Sequence, residues 1–188
     1  MKKIMFNDKF CLTKAVLART KTMTRRVLKE GTPLGNWEET VKHLPYKVGD
    51  IVAIAQSYKE VYPNADFEMV GDGFMTESAG WTNKMFVRAD LMPHHIKITD
   101  VKVERLQDIS DDEILREGII KEGYAGGCMY FYNRTYIRKG CRYVEPIYNT
   151  TPMRAFASLI YKVCGGETWE SNPWVVAYSF ELISVWKN

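Results

Sequence analysis

A fault in an alternation governs the architecture open to this chain. In HIKITDVKVERL, residues 95–106, Ile96 and Ile98 share one parity while Val101 and Val103 share the other. Side chains along a strand point alternately to its two faces, so an unbroken strand would send the two pairs to opposite sides of a sheet. One extra residue at Thr99-Asp100 returns all four to one side. That is a β-bulge, which bends and twists its strand and is common where sheets curl into barrels.

The next residues, DISDDEILREG (108–118), spell a short helix. Ser110 as N-cap and Glu113 three positions later make a capping box, and Ile109 with Ile114 makes the hydrophobic staple. Gly118 ends the helix as the left-handed residue beyond the cap. Glu117 then falls in the last turn, where the helix dipole disfavours an anion by roughly 0.3–1 kcal/mol. A carboxylate there needs a reason other than helix stability.

Elsewhere KKIMF (2–6) reads as a short strand, and DKFCLTKAVLAR (8–19) as a helix with Asp8 at its N-cap and Leu12 and Val16 on one face. A Gly-Asp turn feeds an apolar strand at 51–55. Residues 60–85 are irregular, with a hairpin tip at VGDGF. Residues 119–150 form a second irregular stretch. A helix begins at Thr151-Pro152, carries Phe156, Ile160 and Val163 on one face, and closes at Gly165. NPWVVAYSFELISVW (172–186) has apolar residues on both parities, as a central or barrel strand does. Two helices against five to six strands give an α+β domain, and the bulge favours closure into a small barrel. The expectation is one domain over 1–188, with insertions at about 60–85 and 119–150.

No apolar run approaches the roughly 20 residues that span a bilayer. The basic opening is no signal peptide, since Asp8 and Lys9 interrupt its apolar stretch. Cys11, Cys128, Cys141 and Cys164 are scattered, without a CxxC pair. Reduced thiols in a cytoplasm are the expectation, with Cys128 and Cys141 the pair available for bridging across the second insertion. The net charge is +3, yet residues 1–29 hold nine Lys or Arg against Asp8 alone, so the other 159 residues sum to −5. Such clustering suits phosphate, or is a solvated basic face balanced by acidic loops.

The densest part of that cluster is LARTKTMTRRVLK (17–29), where hydroxyls alternate with cations. Together with YKVGD, VKVERLQDISDDEILREGI and NPWVVAYSFEL, it resembles the ASCH domain family, a PUA-like β-barrel group, and is most similar to the larger phage and prophage members. The resemblance covers roughly 1–58, 86–120 and 153–184. It departs at Arg19, where the family usually has glycine, and at Thr20, where it has a basic residue.

Small members of that family are amidohydrolases that remove the acetyl group of N4-acetylcytidine, so the resemblance implies Lys21, Thr24 and Glu117 as site residues. A threonine hydroxyl needs a neighbouring base. A lysine serves if burial or nearby cations lower its pKa, and Arg25 and Arg26 are close. Alternatively Lys21 stays charged over an oxyanion while Glu117 handles the proton. In an extended strand Lys21 and Thr24 would point to opposite faces, so the chemistry requires a turn.

The second insertion holds seven aromatics between 124 and 148, with the cations Arg134, Arg138, Lys139 and Arg142. That mixture suits single-stranded nucleic acid, or packs its own tyrosines over the barrel. Starting beside Glu117, it is expected as a lid or wall of the pocket. His43, His94 and His95 make no metal site, because adjacent histidines point apart in a strand. Trp169, Trp174 and Trp186 read as packing residues. Three functions remain: binding of RNA or a modified nucleoside, with Arg25 and Arg26 as further ligand contacts; hydrolysis of N4-acylated cytosine nucleosides; and a phage accessory role through protein contacts. No metal, cofactor or membrane partner is implied.

Overall fold

In the computed structural model, which describes residues 1–184, Thr99 is the bulge. Ser179 pairs with Asp100 and Phe180 with Ile98, leaving Thr99 unmatched in the long strand His94–Arg105. Ile96, Ile98, Val101 and Val103 consequently share one core.

In chain order the strands are β1 (Lys2–Ile4), β2 (Met23–Val27), β3 (Ile51–Ile54), β4 (Met69–Val70), β5 (Gly73–Phe74), β6 (His94–Arg105), β7 (Ile120–Tyr124), β8 (Gly127–Arg138), β9 (Cys141–Asn149) and β10 (Trp174–Ser184). The helices are α1 (Leu12–Leu17), α2 (Trp37–His43), α3 (Tyr58–Val61), α4 (Asp111–Arg116), α5 (Pro152–Cys164) and α6 (Gly166–Glu170). This is an α+β fold. The principal sheet has five strands in the order β1-β3-β6-β10-β2. β10 is an interior strand between β6 and β2, as its two apolar parities require; Trp186 lies outside the described residues.

The expected barrel closure is not made by strand pairing: β1 and β2 are the two edges of an open sheet. A side chain spans the gap instead, with Arg26 Nη2 donating to Met5 O at 2.5 Å. The edges are short, three and five residues, too little backbone to complete a curled ladder.

Strand β3 is covered on both faces. Val52 and Ile54 join the main core, while Ala53 packs with Tyr58, Met75 and Met92 in a smaller cluster to which the first insertion contributes Ala65 and Met75. That insertion holds the expected hairpin, Met69 opposite Phe74 and Val70 opposite Gly73.

Two local expectations are corrected. The helix predicted over 8–19 is broken: Asn7, not Asp8, caps a 3-10 turn at Asp8–Phe10, and the chain resets at Cys11 (φ 57°) before α1 begins. Asp8 instead accepts from Lys84 Nζ at 2.6 Å and from the Thr13 hydroxyl. The second insertion is not irregular but a three-stranded antiparallel meander, β7-β8-β9. Its tight turn is Lys139-Gly140, both left-handed at φ 50° and 77°, as a two-residue hairpin loop requires. Cys128 is near the start of β8 and Cys141, the first residue of β9, pairs with Arg138 at the far end of β8, about 33 Å of strand away, and all four cysteines are free thiols.

Candidate functional site

The chain leaves α1 through Arg19, which is left-handed at φ 60° although it is not glycine. Its Nη1 donates to Leu182 O at 2.9 Å and braces the turn. The amides of Thr20 and Lys21 both return to Ala15 O, at 2.9 and 3.0 Å. The backbone has therefore reversed by Lys21, two residues before β2. Lys21 lies in this exit and Thr24 within β2, yet both line one cavity. The turn therefore precedes Lys21 rather than joining it to Thr24, which lies in the extended β2.

Glu117 approaches from the end of α4. The capping box forms as its spacing predicts, Ser110 Oγ accepting from Glu113 N and Glu113 Oε2 from Ser110 N. Gly118 follows at φ 99°. The Glu117 carboxylate is buried, as is Lys21, at 5% and 2% exposure. Lys21 Nζ donates to Glu117 Oε2 at 2.6 Å and to Glu117 O at 2.7 Å, while Arg25 Nη1 donates to Oε1 at 3.0 Å. This explains the carboxylate at the wrong end of a helix: an ammonium sits there with it and satisfies a terminal carbonyl that the helix leaves open.

Arg25 extends the network. Its Nε and Nη2 donate to Glu104 Oε1 at 2.9 and 2.6 Å, and Nη2 also reaches Glu113 Oε2 at 2.8 Å. Lys102 pairs with Glu104 Oε2 at 2.9 Å and with Glu113. Three cations meet three carboxylates, and Arg25 has its guanidinium turned wholly inward. It is a scaffold residue rather than the anion contact expected of it. Arg26 keeps the exposed position, at the cavity rim.

Burial pushes the Lys21 ammonium below the ordinary lysine range, against the upward pull of the Glu117 carboxylate. Burial alone would raise Glu113, but the Lys102 hydrogen bond, the Ser110 amide and the Arg25 and Lys102 charges together hold it below the usual carboxylate range.

The cavity, about 250 Å³, opens in the gap between the two edge strands: Met5 to Asn7 follow β1 on one side, and Thr24 to Val27 belong to β2 on the other. Lys21, Thr24 and Glu117 form its polar end; Leu12, Phe156, Leu159 and Val175 are among its apolar walls. Lys21 and Glu117 bond to each other and not to Thr24, so the hydroxyl, on a residue 5% exposed, is left to a ligand.

No residue of 119–150 lines this cavity; its outer wall is α5, with Thr168 of α6. The lid expectation is thereby corrected. Tyr132 is fully buried against Phe10, at 5.9 Å between ring centres, which fastens the meander beside α1 instead. Arg134 pairs with Glu145 across the hairpin, Arg138 and Lys139 are exposed at its tip, and Arg142 faces a separate cleft. Among the described residues no group of three His, Cys, Asp or Glu side chains is placed to hold a metal, and no helix is long and apolar enough to cross a membrane.

Lys102, Glu104 and Glu113 escaped sequence reasoning as parts of the site. Their signals were the i, i+2 pair Lys102/Glu104 on one strand face and the i, i+4 pair Glu113/Glu117 on one helix face. No family model, curated protein or solved structure matches the chain.

Proposed function

We propose that this chain is an ASCH-type, PUA-like protein whose cavity binds a modified pyrimidine nucleoside, free or presented by RNA. One observation carries this reading: a buried Lys21–Glu117 pair and the Thr24 hydroxyl share the polar end of an otherwise apolar cavity. The cavity offers donors and acceptors to a base edge and apolar walls to its faces, as nucleoside recognition requires. Its size suits a base or nucleoside rather than a length of strand. The bulged sheet, flanked by α4 and α5 and bridged by Arg26, is compatible with a PUA-like domain completed by a side chain.

A second reading, amide hydrolysis, is favoured by the buried amine near Thr24. Thr24 Oγ1 would attack the acyl carbon while its proton passes to neutral Lys21. Collapse would expel the nucleoside amine, which takes the proton back, and water would then cleave the acyl-threonine ester, releasing the acid. If Lys21 stays charged, it would stabilise the oxyanion and Glu117 would carry the proton.

Calorimetric titration with cytidine and N4-acetylcytidine, beside a chromatographic assay for release of cytidine, tests both readings. Binding of N4-acetylcytidine that weakens at least tenfold in Lys21→Met supports the site. Turnover in the native protein, lost in Thr24→Val with binding kept, assigns hydrolysis. Binding without turnover assigns a binding protein. If neither nucleoside binds, the reading fails and the protein-contact alternative stands.

A further inference from the structure

We infer a second binding site, for a phosphate ester that also carries a hydrogen-bond donor, in the cleft where both insertions meet the start of α1. Two adjoining cavities of about 510 and 220 Å³ share Asp8, Glu60 and Arg142 as lining residues. Neither has a lining residue in common with the Lys21 cavity, so the inference does not rest on the function proposed above.

Charge selects the ligand. The cleft is lined by Lys14, Lys59, Lys84 and Arg142 against Asp8 and Glu60. Both carboxylates are already engaged: Asp8 by Lys84 Nζ at 2.6 Å and by the Thr13 hydroxyl, Glu60 by the Ser57 amide and hydroxyl at 3.3 and 3.1 Å. Lys14, Lys59 and Arg142 form no ion pair among the described residues. Three uncommitted cations around a concave space call for a multiply charged anion, and the guanidinium fork matches a phosphate.

Gln56 supplies the second half. Its Oε1 is buried and has no hydrogen-bond partner, and the residue lines the smaller cavity beside Arg142. Buried carbonyl oxygens are almost always paired. An unpaired acceptor on a residue that lines the cavity calls for an N–H or O–H, which a bound ligand would supply. Phosphate and donor together describe a nucleotide unit, either free or as one link of an RNA strand. The hairpin is fixed over the cleft by Thr135, whose hydroxyl donates to Lys9 O at 3.1 Å, so Arg142 is carried on a docked element.

Calorimetry on the full chain with inorganic phosphate, cytidine, cytidine 5′-monophosphate and a five-nucleotide RNA tests this. The monophosphate should bind, with phosphate and cytidine each at least tenfold weaker. Arg142→Ala, an exposed position that should not disturb folding, should weaken the monophosphate about tenfold, and Gln56→Leu should reduce it to the level of phosphate. Lys162→Ala, which removes an exposed cation that lines neither site, should leave it within twofold. Tighter binding of the RNA with a steeper salt dependence identifies a strand, and no gain identifies free nucleotide; both agree with the site. No monophosphate binding at millimolar concentration, indifference to Arg142→Ala, or equal loss in Lys162→Ala overturns it.

Discussion

Lys21 Nζ bonds Glu117 twice, at 2.6 Å to a carboxylate oxygen and at 2.7 Å to the same residue's carbonyl oxygen. One ammonium thus neutralises a buried anion and closes the end of α4. It also couples the exit of α1 to the exit of α4, across 96 residues of sequence. Any ligand that competes for Lys21 acts on both.

Removing one partner leaves the other buried and charged. Lys21→Met leaves Glu117 with Arg25 as its remaining partner, so it should cost about 1–3 kcal/mol, less than an uncompensated buried charge would. The double variant Lys21→Met/Glu117→Leu should recover much of that, because Arg25 retains Glu104 and Glu113. Urea denaturation of the four members of the cycle measures the coupling. A double variant no more stable than Lys21→Met would mean that Arg25 alone compensates Glu117 once Lys21 is gone.

Glu113 sets the acid limit. Its folded pKa lies below the ordinary carboxylate value, so the native state binds its proton less readily than the unfolded chain does. The resulting stability is fully present above the unfolded pKa of about 4.3 and disappears as pH falls through the folded value. The stability gap between the native protein and Glu113→Gln should therefore hold from pH 7 to about 5 and shrink below that. A gap independent of pH down to 3 would remove Glu113 from the ionic network.

What the sequence revealed was what local rules encode. The bulge at Thr99, the capping box at Ser110 and the Thr151-Pro152 start each depend on a few neighbouring residues, and each stands where its spacing indicated. Glu117 was legible because it broke a local rule. The open sheet was not legible, since pairing between β1 and β2 depends on strand ends far apart in the chain. The meander hid for a different reason. Its strands are mostly half-exposed or exposed, so they lack clean alternation, and Pro146 argues against a strand until β9 is seen to be an edge. Helix α2 left a signal that went unread: Asn36 at its cap, Glu38 and Glu39 in its first turn, Lys42 and His43 in its last. For Arg25, charge density suggested a ligand contact, whereas three distant carboxylates determined its role.

Tyr178 carries a small stability cost. Its ring is fully buried, edge-on to Tyr46 at 5.3 Å, and its hydroxyl has only the Tyr46 backbone, at poor hydrogen-bond geometry, to satisfy it. Burial pushes that hydroxyl up to about 12. Tyr178→Phe keeps the ring contact and deletes a poorly satisfied polar group, so the protein should gain up to about 1 kcal/mol. Thermal and urea unfolding should agree on the gain. A loss of similar size would mean that the bond to the Tyr46 backbone outweighs the cost of burying the hydroxyl.

The outer half of the meander can be removed to separate the two cavities. Residues 134–145 lie beyond the Asn133–Pro146 pair, so an Asn-Gly turn joining these two should close the hairpin in register. Tyr132 and its contact with Phe10 remain, which preserves the meander's hold on the core. What is lost is Thr135, docked on the Asp8 and Lys9 carbonyls, and Arg142 over the second cleft. The truncated protein should bind N4-acetylcytidine within twofold of the native chain, because no residue of 119–150 lines the Lys21 cavity. Its affinity for cytidine 5′-monophosphate should fall at least tenfold. A folded truncation that loses N4-acetylcytidine would return the insertion to the first site as a wall that closes only around the ligand.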